Sequence, residues 1–296
     1  MKLLKQTLVL LALIFNFSIT AQNKEVKIKV NKLTDNIYML VGQGGNIGVF
    51  VGEDGVFMID DQFAPLTPKI LKAIKSITDK PVRYLINTHW HGDHTGGNLN
   101  MANEGAIIVS HENVRKRMSM DQVIRGRKRK ASPKKALPVI TFTEDMMYHF
   151  NNDDVLISHI HDAHTDGDAL VYFTNNNVLH MGDAYFQGKF PYIDTSSGGS
   201  IDGYIDGIQK AIMISDDKTI VIPGHGKISN KSELKPYLEM LKTLRSRVQT
   251  EIKKGKTLKE IVANTSITKE YTSFSGWITE ERIKTAIYTS LKNNEL

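Results

Sequence analysis

Residues 88–94 read Thr88-His89-Trp90-His91-Gly92-Asp93-His94, a pattern that gathers three imidazoles and one carboxylate within six positions. Neutral imidazole nitrogen and carboxylate oxygen are the donors that zinc accepts, and that iron or manganese also tolerate. The four side chains can meet only if a turn directs them into one cleft. The chain has no cysteine, which excludes disulfides, iron–sulfur clusters, thiolate-bound metals and cysteine nucleophiles. Any metal must therefore rest on nitrogen and oxygen.

Such donors need a rigid frame. Residues 82–86 read as a buried strand ending at Asn87, so the cluster lies just past a strand's carboxyl end. Upstream, the apolar runs 26–30, 37–41, 47–51 and 56–59, bounded by Gly, Asn or Asp, predict an antiparallel meander. After Pro68 the spacing of Ile70, Leu71, Ile74 and Ile77 is helical. Strand-like runs return at 106–109, 139–142, 155–160, 169–173, 178–181 and 219–222; helices are predicted over 201–214, 232–254, 257–264 and 280–292. Meanders with helices between and after them predict two sheets packed face to face under helical layers, with no domain boundary in the mature chain.

Length and composition agree. At 296 residues, 41% hydrophobic and 24% charged, the chain can bury a sizeable core and is unlike disordered or fibrous sequences. The basic Met1–Lys5, the apolar stretch 7–15 and the small residues before Gln22 read as a signal peptide, 1–21, cleaved after Ala21. The apolar stretch is shorter than the ~20 residues that span a bilayer. A mature domain of 22–296, secreted or periplasmic and without stable membrane insertion, is expected. The net charge of +6 is concentrated at 113–135, where ten basic residues face one acid, Asp121. This run is read as a solvated helix face leading into an exposed loop; no aromatic residues alternate with the charges as a nucleic-acid groove would require.

Three later segments complete a pattern: Ala163-His164-Thr165-Asp166-Gly167-Asp168, Met181-Gly182-Asp183 and Ile222-Pro223-Gly224-His225-Gly226. With the 89–94 cluster, and in this order, they make nearly the whole mature chain resemble the metallo-β-lactamase superfamily. The resemblance implies an α/β fold, a four-layer αββα sandwich. It also implies two zinc ions, one held by His89, His91 and His164, the other by Asp93, His94 and His225, with Asp183 bridging. Iron or manganese would suit the same donors. His161 is the competitor of His164, ranked second because Thr-x-Gly-Asp follows His164. In such a site a metal-bound hydroxide attacks the substrate and Asp93 orients it or passes a proton to the leaving atom. Asp60 and Asp61 are candidates for steadying the ligands, or for capping their own loop.

Fold alone does not choose the substrate. Many β-lactamases of this superfamily have a cysteine where this chain has Asp183, and a lysine three residues later where it has Phe186; the nearest lysine is Lys189. The expectation is thus a hydrolase of a cyclic amide or ester, β-lactam-like or lactone, acting on a small anionic or carbonyl-containing molecule. A phosphodiester hydrolase using the basic run, and a non-hydrolytic diiron or metal-binding protein, are the alternatives. The loop 186–199, with Lys189, Tyr192, Ser196 and Ser197, is read either as facing the substrate, with Lys189 holding its carboxylate, or as an ordinary surface loop. His111, His149, His159 and His180 are read as ordinary surface or core residues, and Trp90 as a packing wedge or pocket wall. Tyr271, Phe274, Trp277 and Tyr288 are read as outer core, with self-association as the alternative.

Overall fold

The computed structural model describes residues 25–124 and 127–293. The expected leader, 1–21, lies outside them. Four strands, β1 (Lys29–Lys32), β2 (Ile37–Val41), β3 (Ile47–Gly52) and β4 (Gly55–Ile59), form the antiparallel meander. Its first strand starts later than the apolar run suggests. Lys29 already pairs with Val41, the last residue of β2, so residues 26–28 have no partner to lengthen the ladder. Helix α1 (Thr67–Lys75) leads to β5 (Val82–Asn87), which runs parallel to β4. The one-turn α2 (Gly92–Thr95) and α3 (Asn98–Asn103) follow, then β6 (Ile107–His111), parallel to β5.

The basic stretch differs from its expectation. Helix α4 (Glu112–Met118) is followed by an antiparallel hairpin, β7 (Gln122–Ile124) and β8 (Arg127–Arg129), rather than a loop. Nor are all its charges solvated. Arg117 holds Asp166 through two 2.7 Å hydrogen bonds and lies 5.9 Å from the Trp90 ring centre, and Arg115 donates to the Pro138 carbonyl. Strand β9 (Ile140–Phe142) closes the seven-stranded sheet, of order β1-β2-β3-β4-β5-β6-β9.

The second sheet has six strands in sequence order: β10 (Asp145–Phe150), β11 (Asp153–Ile160), β12 (Asp168–Phe173), β13 (Val178–His180), β14 (Ile220–Ile222) and β15 (Ser229–Asn230). Strand β10 was not expected. Its Asp-Met-Met-Tyr-His-Phe has no β-branched residue, and as an edge strand it buries only one face. Helix α5 (Ile201–Ile214) connects the parallel strands β13 and β14, and α6 (Lys231–Lys253), α7 (Leu258–Ala263) and α8 (Glu280–Asn293) complete the chain.

Strands buried on both faces alternate their contacts. Phe57, Ile59 and Ile86 join Ile157, Val171 and Phe173 in the core between the sheets. Met58 and Leu85 point the other way, onto Ile70 and Ile74 of α1 and Met101 of α3. Leu170, Leu179 and Val221 of the second sheet pack under Tyr204 and Ile208 of α5, Leu241 and Leu244 of α6 and Ile287 of α8. The result is the four-layer αββα sandwich. Among the described residues no helix is long and apolar enough to cross a membrane.

Candidate metal centre and active site

Strands β4, β5, β13 and β14 end at one edge of the sandwich, and the residues that follow them turn into a shared cleft. Such carboxyl ends of parallel strands commonly host ligands. From the first sheet come His89, His91, Asp93 and His94; from the second come His164, Asp183 and His225. Three subsets, His89/His91/His164, His89/His94/Asp183 and Asp93/His94/His225, each bring their donor atoms within 4.8 Å of one another. Asp183 lies between them. Its Oδ2 is 3.8 Å from His89 Nε2 and 3.5 Å from His164 Nε2, while its Oδ1 is 3.1 Å from His94 Nε2 and 3.4 Å from His225 Nε2. His161 is elsewhere, exposed and 3.3 Å from Glu144.

The imidazoles are oriented from behind. Asp60, fully buried, accepts from Thr88 N at 2.8 Å, from the Thr88 hydroxyl at 2.7 Å and from His94 Nδ1 at 2.7 Å. With its proton committed to Asp60, the Thr88 hydroxyl oxygen accepts from His89 Nδ1 at 3.1 Å. One carboxylate thus sets the tautomer of two histidines and turns both Nε2 atoms to the cleft. His164 Nδ1 donates to the Tyr192 carbonyl at 2.5 Å. His91 faces the cluster through Nδ1, 2.8 Å from His164 Nε2, and donates from Nε2 to Asp194 at 2.9 Å. Asp194 is fixed by the hydroxyls of Ser196 and Ser197, so these serines support the site rather than face a substrate. Asp61 serves the loop, accepting from Gly97 N at 2.9 Å.

The backbone leaves little slack. A Cβ on Gly45 would fall 2.1 Å from His94 Cε1, and one on Gly224 would fall 2.1 Å from Asp183 Oδ1. Only glycine lets these loops close on the ligands. Asp168 holds the His164 turn, its carboxylate accepting from His164 N, Thr165 N and the Thr165 hydroxyl at 2.6–2.9 Å.

Charge within the cluster is strongly redistributed. Burial makes His89 and His164 poor bases, and adjacent imidazoles add to this; His164 falls to about 4. Burial also opposes charge on His94 and His225, yet Asp183 and the neighbouring carboxylates prevail, lifting His94 well above its ordinary value and His225 to about 9. For Asp93 and Asp183 burial acts upward and the imidazoles overrule it, leaving Asp93 at about 2 and Asp183 well below the carboxylate range. A pair of anions among proton-competent imidazoles is what divalent cations displace protons from.

The donor set fits two such cations. His89 Nε2, His94 Nε2 and Asp183 Oδ1 are buried without a well-aligned hydrogen bond among the described residues, and donor atoms so placed call for a further partner. His89, His91 and His164 would hold one ion, Asp93, His94 and His225 the other, with one oxygen of Asp183 toward each.

Above the cluster lies a cavity of about 560 Å³, with His91, Asp93, Asp183 and His225 in its lining. Phe186 borders it and stacks on His225, with ring centres 5.2 Å apart and planes 17° from parallel. Lys189 also borders it; its ammonium lies 3.4 Å from the Ser275 carbonyl and pairs with no carboxylate among the described residues. Trp90 faces away, packed on Val114, Met118 and Leu137. Arg129 of β8 packs behind Gly92, where Asp93 is the carboxylate that acts on it. Sequence reasoning missed Asp194 and Phe63, which carry no motif; Arg129 was noted only as one charge of the basic run 113–135.

Residues 40–225 match the family model of the metallo-beta-lactamase superfamily, and the chain belongs to that superfamily. A hydroxyacylglutathione hydrolase from Pelagibacter ubique is 28% identical over 116 residues, which is 38% of this chain and 41% of that protein's length. A metallo-beta-lactamase from Pontibacter korlensis superposes with a TM-score of 0.62 at 20% identity, covering 73% of this chain and 99% of its own. The sec-alkylsulfatase Pisa1 from Pseudomonas sp. gives a TM-score of 0.68 at 15% identity, covering 91% of this chain and 52% of that one. At these identities the structural likenesses speak for the fold.

Proposed function

We propose that the protein is an exported, zinc-dependent binuclear hydrolase that opens a cyclic amide or ester, its residues 22–296 acting as one domain after removal of 1–21. Asp183 carries the reading, because each of its oxygens faces two imidazoles from different parts of the chain. When bound, two zinc ions would supply a water acidic enough to ionise at neutral pH and positive charge toward the substrate oxygen. Asp93 is partly exposed at the cavity floor and 3.2 Å from His225. That position supports a role in taking the attacking water's proton and returning it to the leaving atom. Lys189, without a carboxylate partner among the described residues, supports a substrate that carries an anionic group. The basic, apolar and small-residue order of the leader supports export, which N-terminal sequencing of the mature protein from the extracytoplasmic fraction would test.

Purified mature protein given two equivalents of zinc should retain about two per chain and turn over a chromogenic cephalosporin or a member of a lactone panel. Asp93→Asn should lower kcat by roughly a hundredfold or more. Failure to retain metal, or silence on both substrate groups, would reject the proposal; coloured, iron-containing protein without hydrolysis would replace it with a diiron reading.

Arg129 favours a second reading, hydrolysis of a phosphate or sulfate ester, because its guanidinium lies beside Gly92 and close to Asp93, two residues of the cavity lining. Arg129→Ala should then raise KM for anionic esters while leaving neutral ones unchanged. Equal KM values would dismiss this reading.

A further inference from the structure

The cavity above the cluster is walled by Phe63, Phe186, Phe190, Tyr192, Trp277 and Ile278. Two of these large side chains stay open to solvent, Phe63 at 37% and Trp277 at 54%. Yet Trp277 is held in place. Its ring meets Tyr192 edge-on with centres 5.2 Å apart, the Arg282 guanidinium lies 5.2 Å from its centre, and its carbonyl accepts from Arg282 at 2.7 Å. The wall is tied to the loop after Asp183, since Phe190 N donates to the Phe274 carbonyl at 2.9 Å and Lys189 reaches the Ser275 carbonyl. Gly276 lets the Lys189 stem lie against it: a Cβ there would come 3.3 Å from Lys189 Cδ.

Fixed aromatic rings left exposed around a concave site form the lining that small-molecule pockets use to seat apolar groups. The match to the superfamily ends at residue 225. Trp277 and Ile278 therefore come from a part of the chain outside that match, and they reach back over ligands inside it. We infer that this C-terminal wall selects the substrate: the hydrolysed molecule carries a bulky apolar group, preferably an aromatic ring, seated against Phe63, Phe186 and Trp277 beside the scissile bond. The inference rests on the hydrolase reading for the word substrate, but the seat itself is a property of the cavity.

Binding can be read without turnover. The chain has two tryptophans, Trp90 and Trp277, and Trp90 is only 3% exposed. Ligands in the cavity should therefore report through Trp277 emission. Zinc-loaded protein would be titrated with acetate, hexanoate and 4-phenylbutyrate, which share a carboxylate and differ in apolar bulk. Burial of the ring should make 4-phenylbutyrate bind about ten- to a hundredfold tighter than acetate, with hexanoate between. Phe63→Ala, read through the same emission, should remove most of that difference and leave the bound zinc unchanged. Trp277→Ala, read by competition with a chromogenic substrate or by calorimetry, should do the same.

Equal affinities across the three probes, or a preference that survives both substitutions, would overturn the inference. Selective binding with no turnover of any ester or amide would uphold the seat and remove the hydrolase reading. Turnover indifferent to apolar bulk would do the reverse.

Discussion

Asp194 and Asp60 act on different parts of the histidine–aspartate cluster, and that difference can be measured. Asp194 touches His91 alone among the donors, whereas Asp60 reaches His94 directly and His89 through the Thr88 hydroxyl. Loss of a carboxylate behind a ligating imidazole typically weakens metal binding about 10–100-fold. Asp194→Ala should therefore weaken one of two zinc-binding steps by about that factor, in competition with a chromophoric chelator. Asp60→Ala should weaken both and, as a fully buried charge partner, should also lower thermal stability. If Asp194→Ala weakened both steps equally, the assignment of His91 to a single ion would be wrong. The candidate donors that the structure brings together were legible because four stand within six residues and the rest sit in short glycine-bearing segments. Asp194 was not, for it is one aspartate among ordinary serines, and only the path of the chain brings it beside a residue 103 positions earlier.

At the level of elements, the sheets meet in a pair of stacked rings. His111 at the end of β6 and His159 of β11 lie with ring centres 3.9 Å apart and planes 10° from parallel. Both suit the neutral form. His111 Nδ1 accepts from Asn113 N at the start of α4 while its Nε2 donates to the Thr143 carbonyl, and His159 Nδ1 donates to the Asp168 carbonyl. Burial, then the facing His111 and His161, hold His159 down to about 4 against the pull of that carbonyl. A folded-state value below the unfolded one means that the unfolded chain takes up the proton first. The stabilisation is complete above about pH 6.5 and is lost as pH falls toward 4, by up to about 3 kcal/mol. Urea denaturation between pH 7.5 and 4.5 should show this slope, and His159→Gln should flatten it; an unchanged slope would refute the attribution. The paired strands were readable from their apolar runs, and α5 was readable to the residue. Strands β10 and β15 and the basic hairpin were not, because edge strands and a charged ribbon lack the periodicity that marks buried elements.

In the molecule as a whole, the first sheet is built entirely from residues before Thr143 and the second entirely from residues after Glu144. Each contributes its own share of the donors: four side chains before that junction, three after it. Any ion with ligands from both sides favours the assembled state, so two-site loading should raise Tm in proportion to the logarithm of free zinc. The division would also make any cations bound there mechanical parts. Cut once at the 143–144 junction by an engineered protease site, the protein would consist of two fragments riveted together by their apolar interface and by metal. Stripping the metal with a strong chelator should then let the pieces drift apart under mild urea that the uncut chain withstands, and returning zinc should draw them back into one particle on a sizing column.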